Sequence, residues 1–145
     1  MSQSPAVLEK RIYTATATAA GGRDGRVYSD DGVLDLNVVP PRALGGSGAP
    51  GTNPEQLFAA GYAACFGSAL AHVARAQKVA TGPVGITAHV TIGPVGRAFG
   101  LAVELVAEIP QLEREQAEAL VRAAHEVCPY SNATRGNIVV DVRLA

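Results

Sequence analysis

A long apolar segment that runs to about Gln77 constrains the fold more than any other feature of the sequence. Ala, Leu and Phe lie on most of its faces, so we predict a largely buried helix. One possible start has Thr52 as N-cap and Glu55 at the third helical position. The other has Asn53 as N-cap and Pro54 at the first position. A Gly/Ser/Pro-rich connection precedes both.

Strands are predicted on both sides of this helix, and a second, amphipathic helix follows it. Strands before, between and after two helices make an α+β protein. A length of 145 residues is typical of one domain, here residues 1–145. The predicted strands are residues 9–18, 34–38, 86–92, 99–105 and 138–144, with a glycine-rich turn at 21–25 and the second helix at 112–127.

Charge and hydropathy exclude several classes of function. The formal net charge is −1 and Lys and Arg form no run, so we expect neither nucleic acid nor a membrane as partner. No apolar run is expected to reach the length that spans a bilayer. Residues 1–5 lack the pattern of a secretory signal. We therefore expect a cytoplasmic protein, in which any disulfide would be transient and catalytic.

Two cysteines, Cys65 and Cys128, lie in different local sequences. Cys65 is in the apolar helix. There it is either a small core residue or a nucleophile, and a nucleophile would need a nearby cation to lower the pKa of its buried thiol. Cys128 follows the second helix, next to Pro129, at a position expected at the surface or in a groove. The helix dipole there disfavours a thiolate, so Cys128 suits a second, resolving thiol. The residues alone leave inert thiols and a reactive pair both open.

Arg23 and Glu55 are the charged residues that could serve such a thiol. Arg23 lies in the glycine-rich turn, where an exposed arginine is also common, and Glu55 also fits a helix capping box. His125 and Cys128 have HxxC spacing without a second pair, so no metal is expected. The glycine-rich segments lack the strand–GxGxxG–helix context, so no nucleotide cofactor is expected.

Two segments resemble the cysteine motifs of the organic hydroperoxide resistance (Ohr) proteins of the OsmC/Ohr superfamily. Residues 51–66, GTNPEQLFAAGYAACF, are similar to the first-cysteine motif. Residues 127–137, VCPYSNATRGN, are similar to the second and favour the Ohr branch over the general OsmC branch. Residues 13–15, with the turn at 21–25, are similar to the N-terminal strand and turn of the family.

The resemblance implies an OsmC-like fold with antiparallel sheets around two main helices, assembled as an intertwined homodimer. It implies that Cys65 is the peroxidatic cysteine and Cys128 the resolving one. Arg23 matches the arginine that activates the thiolate, and Glu55 the carboxylate that orients it. The implied reaction reduces an organic hydroperoxide, alkyl or lipid, to an alcohol through a sulfenic acid and a disulfide. A dithiol, in this family a lipoyl group on a carrier protein, restores the thiols.

Glu55 and Cys65 are ten residues apart, which is about 15 Å along a continuous helix. Our hypothesis is that one subunit supplies Cys65 and Cys128 to each site and the other supplies Arg23 and Glu55. The alternatives are a helix break at Gly61 or a long arginine side chain that covers the gap. A function of another class, a non-catalytic module that binds apolar small molecules and has structural cysteines, would not need both thiols.

Overall fold

The structure, a computed structural model, describes residues 4–145. The chain forms two compact units, Met1–Asn53 and Pro54–Ala145, and each contains its own three-stranded sheet. The strands and helices confirm the predicted α+β class. A single domain over residues 1–145 stays a prediction, as does the absence of a signal, which rests partly on Met1, Ser2 and Gln3, outside the described residues.

The first unit is an antiparallel sheet of β1 (Ala17–Ala20), β2 (Gly25–Ser29) and β3 (Asp35–Val38). The strand predicted at 34–38 is confirmed as β3. The strand predicted at 9–18 is wrong over most of its length, because pairing with β2 begins only at Ala17, opposite Ser29. Thr-rich composition favours a strand, but a strand also needs a hydrogen-bonding partner. The sequence analysis missed the short strand β2.

The predicted turn between β1 and β2 is confirmed. Gly21 and Gly22 have φ values of 86° and 61°, in the left-handed region that favours glycine. The amide of Asp24 donates to the carbonyl of Gly21 over 3.1 Å. Arg23 therefore lies in a tight turn, which the backbone hydrogen bond between Asp24 and Gly21 closes.

The second unit begins with α1 (Pro54–Ala76). Pro54 is its first residue, which matches the second of the two predicted starts. The helix is continuous through Gly61, so the alternative of a break at Gly61 is wrong. The buried side chains form one stripe, so the prediction of a largely buried helix is wrong for the single chain. The buried residues are Tyr62, Phe66, Ala69, Leu70, Val73 and Ala74.

The sheet of the second unit has the order β4-β5-β6, from β4 (Gly85–Val95), β5 (Ala98–Glu108) and β6 (Val140–Leu144). β4 and β5 form the predicted antiparallel pair. β6 runs parallel to β5, so the expectation of antiparallel sheets is wrong for this pair. Parallel strands need a crossover connection, and the helices between β5 and β6 supply it.

The crossover contains α2 (Arg114–Val127) and α3 (Pro129–Thr134). α2 confirms the predicted amphipathic helix. The prediction that a turn follows α2 is wrong, because Pro129 is the first residue of another helix, α3. Proline is well suited to the first position of a helix, where its missing N–H is not needed. Cys128 is consequently the C-cap of α2 and the N-cap of α3.

α1 packs against β4 and α2 and forms the centre of the core of this unit. By length and composition alone, α1 is also apolar enough to cross a membrane, so the expectation that no apolar run reaches that length is wrong. The apolar character extends around the helix because Ala and Gly are found between its larger side chains. Its buried stripe is that of a core helix in an α+β fold.

Candidate functional site

The second unit brings the two cysteines together. The Sγ atoms of Cys65, in the middle of α1, and Cys128, between α2 and α3, are 3.6 Å apart, and both are free thiols. A thiol pair at this distance reaches the ~2.05 Å of a disulfide bond through a small movement. The two cysteines are 63 residues apart in the sequence, so no local pattern predicts their contact. Only the family resemblance predicted that they form a pair.

The exposure of the two thiols is the reverse of the expectation. Cys128 is fully buried, with 0% of its surface exposed, whereas Cys65 is only partly buried. Cys65 opens onto a pocket of about 370 Å³, and Cys128 does not line it. A molecule in the pocket therefore meets Cys65 first. The pocket is lined by Cys65, Ser68, Ala69, His72, Val127 and Pro129.

The surroundings of Cys65 within this unit raise the pKa of its thiol, chiefly because burial disfavours the charged thiolate. The backbone amide of Tyr130 acts in the opposite direction, since a hydrogen bond to sulfur stabilises the thiolate. The nearby Cys128 thiol raises the pKa further. These effects together leave Cys65 protonated more often than an ordinary cysteine, as expected for a thiol that needs a cation.

A chain of buried hydroxyl groups lies beside the thiols. The hydroxyl of Tyr62 on α1 is hydrogen bonded to Ser131 Oγ at 2.8 Å and to Thr134 Oγ1 at 3.1 Å, both on α3. Ser131 Oγ also contacts His125 Nδ1 at 2.7 Å. Every buried side-chain oxygen and nitrogen in the described part of the chain has a partner. The network therefore joins α1, α2 and α3 without an unpaired polar group.

Arg135 fixes the end of α2 next to this network. Its guanidinium donates to the His125 carbonyl and to Asn132 Oδ1, each over 2.6 Å. Burial, and the Arg135 charge after it, hold the pKa of His125 below its usual value. His125 is therefore a neutral hydrogen-bonding side chain at pH 7.

The ring of Tyr130 lies over α1 in an aromatic cluster. Its centroid is 5.9 Å from that of Phe58 and 5.6 Å from that of Tyr62. A Cβ atom on Gly61 would lie 2.8 Å from the Tyr130 hydroxyl oxygen, so the glycine makes room for this ring. The same residue, Tyr130, presents its backbone amide to Cys65.

The other two predicted site residues belong to other segments of the chain. Arg23 is in the β1–β2 turn of the first unit, and Glu55 is the second residue of α1 in the second. Because α1 is continuous, Glu55 is about 15 Å from Cys65 along its axis. The roles of Arg23 and Glu55 stay predictions. Within residues 4–145, no group of three or more His, Cys, Asp or Glu side chains could hold a metal ion.

The hydrogen-bonding roles of Tyr62, Ser131 and His125 were not predicted from the sequence, in which His125 was considered only as a metal ligand. A signal was present, because Tyr62 precedes Cys65 by three residues and Ser131 follows Cys128 by three. In a helix, that spacing places side chains on one face. Because the residues of α3 were predicted as a turn, the three-residue spacing from Cys128 to Ser131 was not interpreted as helical.

The fold and the thiol pair define an α+β dithiol protein. Residues 45–143 match the family described as OsmC-like protein, and the chain belongs to this OsmC family. The organic hydroperoxide resistance protein of Xanthomonas axonopodis pv. citri (strain 306) is 54% identical over 138 residues, which cover 94% of this chain and 97% of the relative. The predicted resemblance to the Ohr proteins is thereby confirmed.

Solved structures of Ohr proteins have the same fold. The organic hydroperoxide resistance protein OhrB of Bacillus subtilis superposes with a TM-score of 0.85 at 51% identity, over 92% of this chain and 98% of that one. The organic hydroperoxide resistance protein of Elizabethkingia anophelis superposes with a TM-score of 0.89 at 52% identity, over 94% and 98% of the two chains. The predicted OsmC-like fold is confirmed.

The lowered pKa of His125 predicts how stability depends on pH. Below about pH 6.5 the unfolded chain binds a proton that folded His125 does not, so the free energy of unfolding falls as the pH decreases from 7 towards 5. Denaturant unfolding at several pH values measures this slope. We expect His125→Asn to reduce it. Equal slopes in His125→Asn and the wild type would contradict the assignment.

Proposed function

We propose that this protein is a thiol-dependent peroxidase that reduces organic hydroperoxides, alkyl or lipid, to alcohols. The observation that carries the proposal is the pair of free thiols 3.6 Å apart, of which Cys65 lines the 370 Å³ pocket and Cys128 does not. Family membership supports it, because the similar proteins are named for resistance to organic hydroperoxides. Small apolar groups next to the thiol, such as Ala69 and Val127, favour an alkyl substituent over a strongly hydrated peroxide.

The proposed cycle has three steps. The Cys65 thiolate attacks the O–O bond of the hydroperoxide, which breaks to give a Cys65 sulfenic acid and, after uptake of one proton, an alcohol. The Cys128 thiol then condenses with the sulfenic acid, so that a Cys65–Cys128 disulfide forms and water leaves. A dithiol reductant finally exchanges with the disulfide, and becomes a disulfide itself as both protein thiols return.

Arg23 and Glu55 supply the charge that the first step requires. Because burial raises the pKa of Cys65, its thiolate needs a cation, and the guanidinium of Arg23 is the group that the resemblance assigns. Glu55 holds that guanidinium through a charge-assisted hydrogen bond. A guanidinium also suits the developing negative charge on the peroxide oxygen, since it stays protonated at every relevant pH.

The active form in this proposal is a homodimer in the cytoplasm, with Arg23 and Glu55 acting on the partner's Cys65. Supporting this, the first unit leaves apolar side chains uncovered in a single chain: Val7, Ile12 and Tyr13 are 88%, 90% and 82% exposed. The length of α1 between Glu55 and Cys65 supports sharing. The reductant in the proposal is a lipoyl group on a carrier protein, and another dithiol is the alternative.

Intact mass after one equivalent of an alkyl hydroperoxide tests the proposal. We expect the reduced wild type to lose about two mass units as the disulfide forms, and Cys128→Ser to gain about sixteen as the sulfenic acid remains. Cys65→Ser is the control and should not change. Unchanged mass in all three proteins would mean inert thiols, and the function would then be that of a binding module for apolar molecules.

Arg23→Ala tests the source of the positive charge. We expect the pH at which Cys65 becomes half-reactive towards iodoacetamide to move up by one to three units, roughly the effect of losing an adjacent cation. Arg23→Lys should recover part of the shift, whereas Arg11→Ala, an exposed arginine outside the turn, should have none. An unchanged profile in Arg23→Ala would reject its role as activating cation.

Mixed dimers test whether subunits share a site. Cys65→Ser and Glu55→Ala chains are each expected to be inactive alone. After exchange between them, each mixed dimer has one site with both native residues, about a quarter of all sites on random pairing. We expect hydroperoxide reduction to reappear in that proportion. Inactivity after exchange has been verified by mass would show that each chain builds its own site.

A further inference from the structure

We propose that Tyr62 is a positioning residue for formation of the disulfide, acting through its hydroxyl group on the helix that follows Cys128. The inference rests on the proposed function, and it deepens that function by separating the residue that serves the second step from those that serve the first. Tyr62 touches neither reacting sulfur through any described hydrogen bond; its partners are Ser131 and Thr134.

The hydrogen bonds of Tyr62 lie one helical turn from the thiol pair on both sides. Tyr62 precedes Cys65 by three residues on α1, and Ser131 follows Cys128 by three residues on α3. Tyr62 and Ser131 are both 0% exposed, and their oxygens are 2.8 Å apart. α1 and the segment from Cys128 into α3 are therefore joined at two places. One is the hydroxyl contact of Tyr62 with Ser131, and the other is the sulfur contact of Cys65 with Cys128.

Cys128 depends on α3 for its place. Its carbonyl accepts a hydrogen bond from the Asn132 amide over 2.9 Å, and it is the N-cap residue of that helix. α3 has six residues, far fewer than an isolated helix needs for stability in water. Its position must therefore come from contacts with its neighbours, and the Tyr62 hydroxyl makes two of these from α1.

Removal of the hydroxyl alone isolates this connection. In Tyr62→Phe the ring keeps its neighbours, Phe58 at 6.0 Å and Tyr130 at 5.6 Å between centroids. Ser131 keeps its contact with His125 at 2.7 Å, and Thr134 keeps the Ser131 carbonyl at 3.3 Å. No buried hydroxyl loses its last partner, so the change removes the α1–α3 connection without leaving an unpaired polar group.

Loss of the hydrogen bonds between Tyr62 and α3 affects the second step, formation of the disulfide. In it the Cys65 sulfenic acid and the Cys128 thiol form the S–S bond, the S–O bond breaks, and the hydroxyl leaves with the thiol proton as water. If α3 is held less firmly, the sulfur atoms spend less time in reacting geometry. The sulfenic acid then survives to meet a second hydroperoxide, which oxidises it to sulfinic acid and leaves as an alcohol. The attack on the first hydroperoxide involves only Cys65.

The experiment follows wild type, Tyr62→Phe, Ser131→Ala and the control Val73→Ala with one equivalent and with excess alkyl hydroperoxide. Val73 lies in the buried stripe of α1 two turns beyond Cys65, so its truncation loosens the core without touching the hydroxyls. The initial rate of hydroperoxide consumption at one equivalent reports the first step, because over-oxidation consumes further hydroperoxide only when it is in excess. Quenched intact mass reports the sulfenic acid, the disulfide and the sulfinic acid, about 32 mass units heavier than the reduced chain.

We expect the first step at the wild-type rate in all four proteins. Disulfide formation should slow on the order of tenfold in Tyr62→Phe and Ser131→Ala but not in Val73→Ala, and excess hydroperoxide should give more sulfinic acid in those two. Should Tyr62→Phe fail to fold, Ser131→Ala carries the test. Wild-type disulfide rates in both variants, or equal slowing in Val73→Ala, would overturn the inference. Failure of the wild type to be oxidised would instead overturn the proposed function.

Discussion

The contact between α1 and the junction of α2 with α3 is the constraint on which this site depends. It holds two sulfur atoms 3.6 Å apart although their residues are 63 positions apart in the chain. One of the two faces a pocket and the other is fully buried, so the contact also decides which thiol meets an incoming molecule. The proposed division of labour, with Cys65 as the attacking and Cys128 as the resolving thiol, rests on that asymmetry.

The same contact makes the Cys65 thiol hard to ionise. Burial raises the pKa of Cys65, and the nearby Cys128 adds to the effect, while the Tyr130 amide only opposes it. A peroxidase on this framework therefore needs a cation near Cys65, and the proposal assigns that part to Arg23. The hydrogen bonds of Tyr62 to Ser131 and Thr134 add no charge, and we propose that they position Cys128. In this proposal, ionisation of Cys65 and positioning of Cys128 depend on different groups of residues.

Local patterns predicted the elements whose periodicity is strong. The β4–β5 pair and α2 followed from alternation and from helical spacing, and Gly21 and Gly22 predicted their turn. The errors occurred where one residue type supports two structures. Pro129 was interpreted as a stop but begins α3, and for that reason Cys128 was predicted at the surface. The sequence of α1 is apolar on several faces and did not indicate which face is buried. That depends on the elements packed against it, β4 and α2. The pairing of Cys65 with Cys128 came from family resemblance, since no local rule joins residues so distant.

The most direct measurement of the central claim is the stoichiometry of a single turnover. Reduced protein is mixed with a limiting aryl-alkyl hydroperoxide in the absence of any reductant, and the alcohol is quantified by chromatography while free thiols are titrated in the same sample. We expect one alcohol formed and two thiols lost for each hydroperoxide consumed, with no alcohol from Cys65→Ser. Alcohol formation without loss of thiols, or from the Cys65→Ser protein, would contradict it.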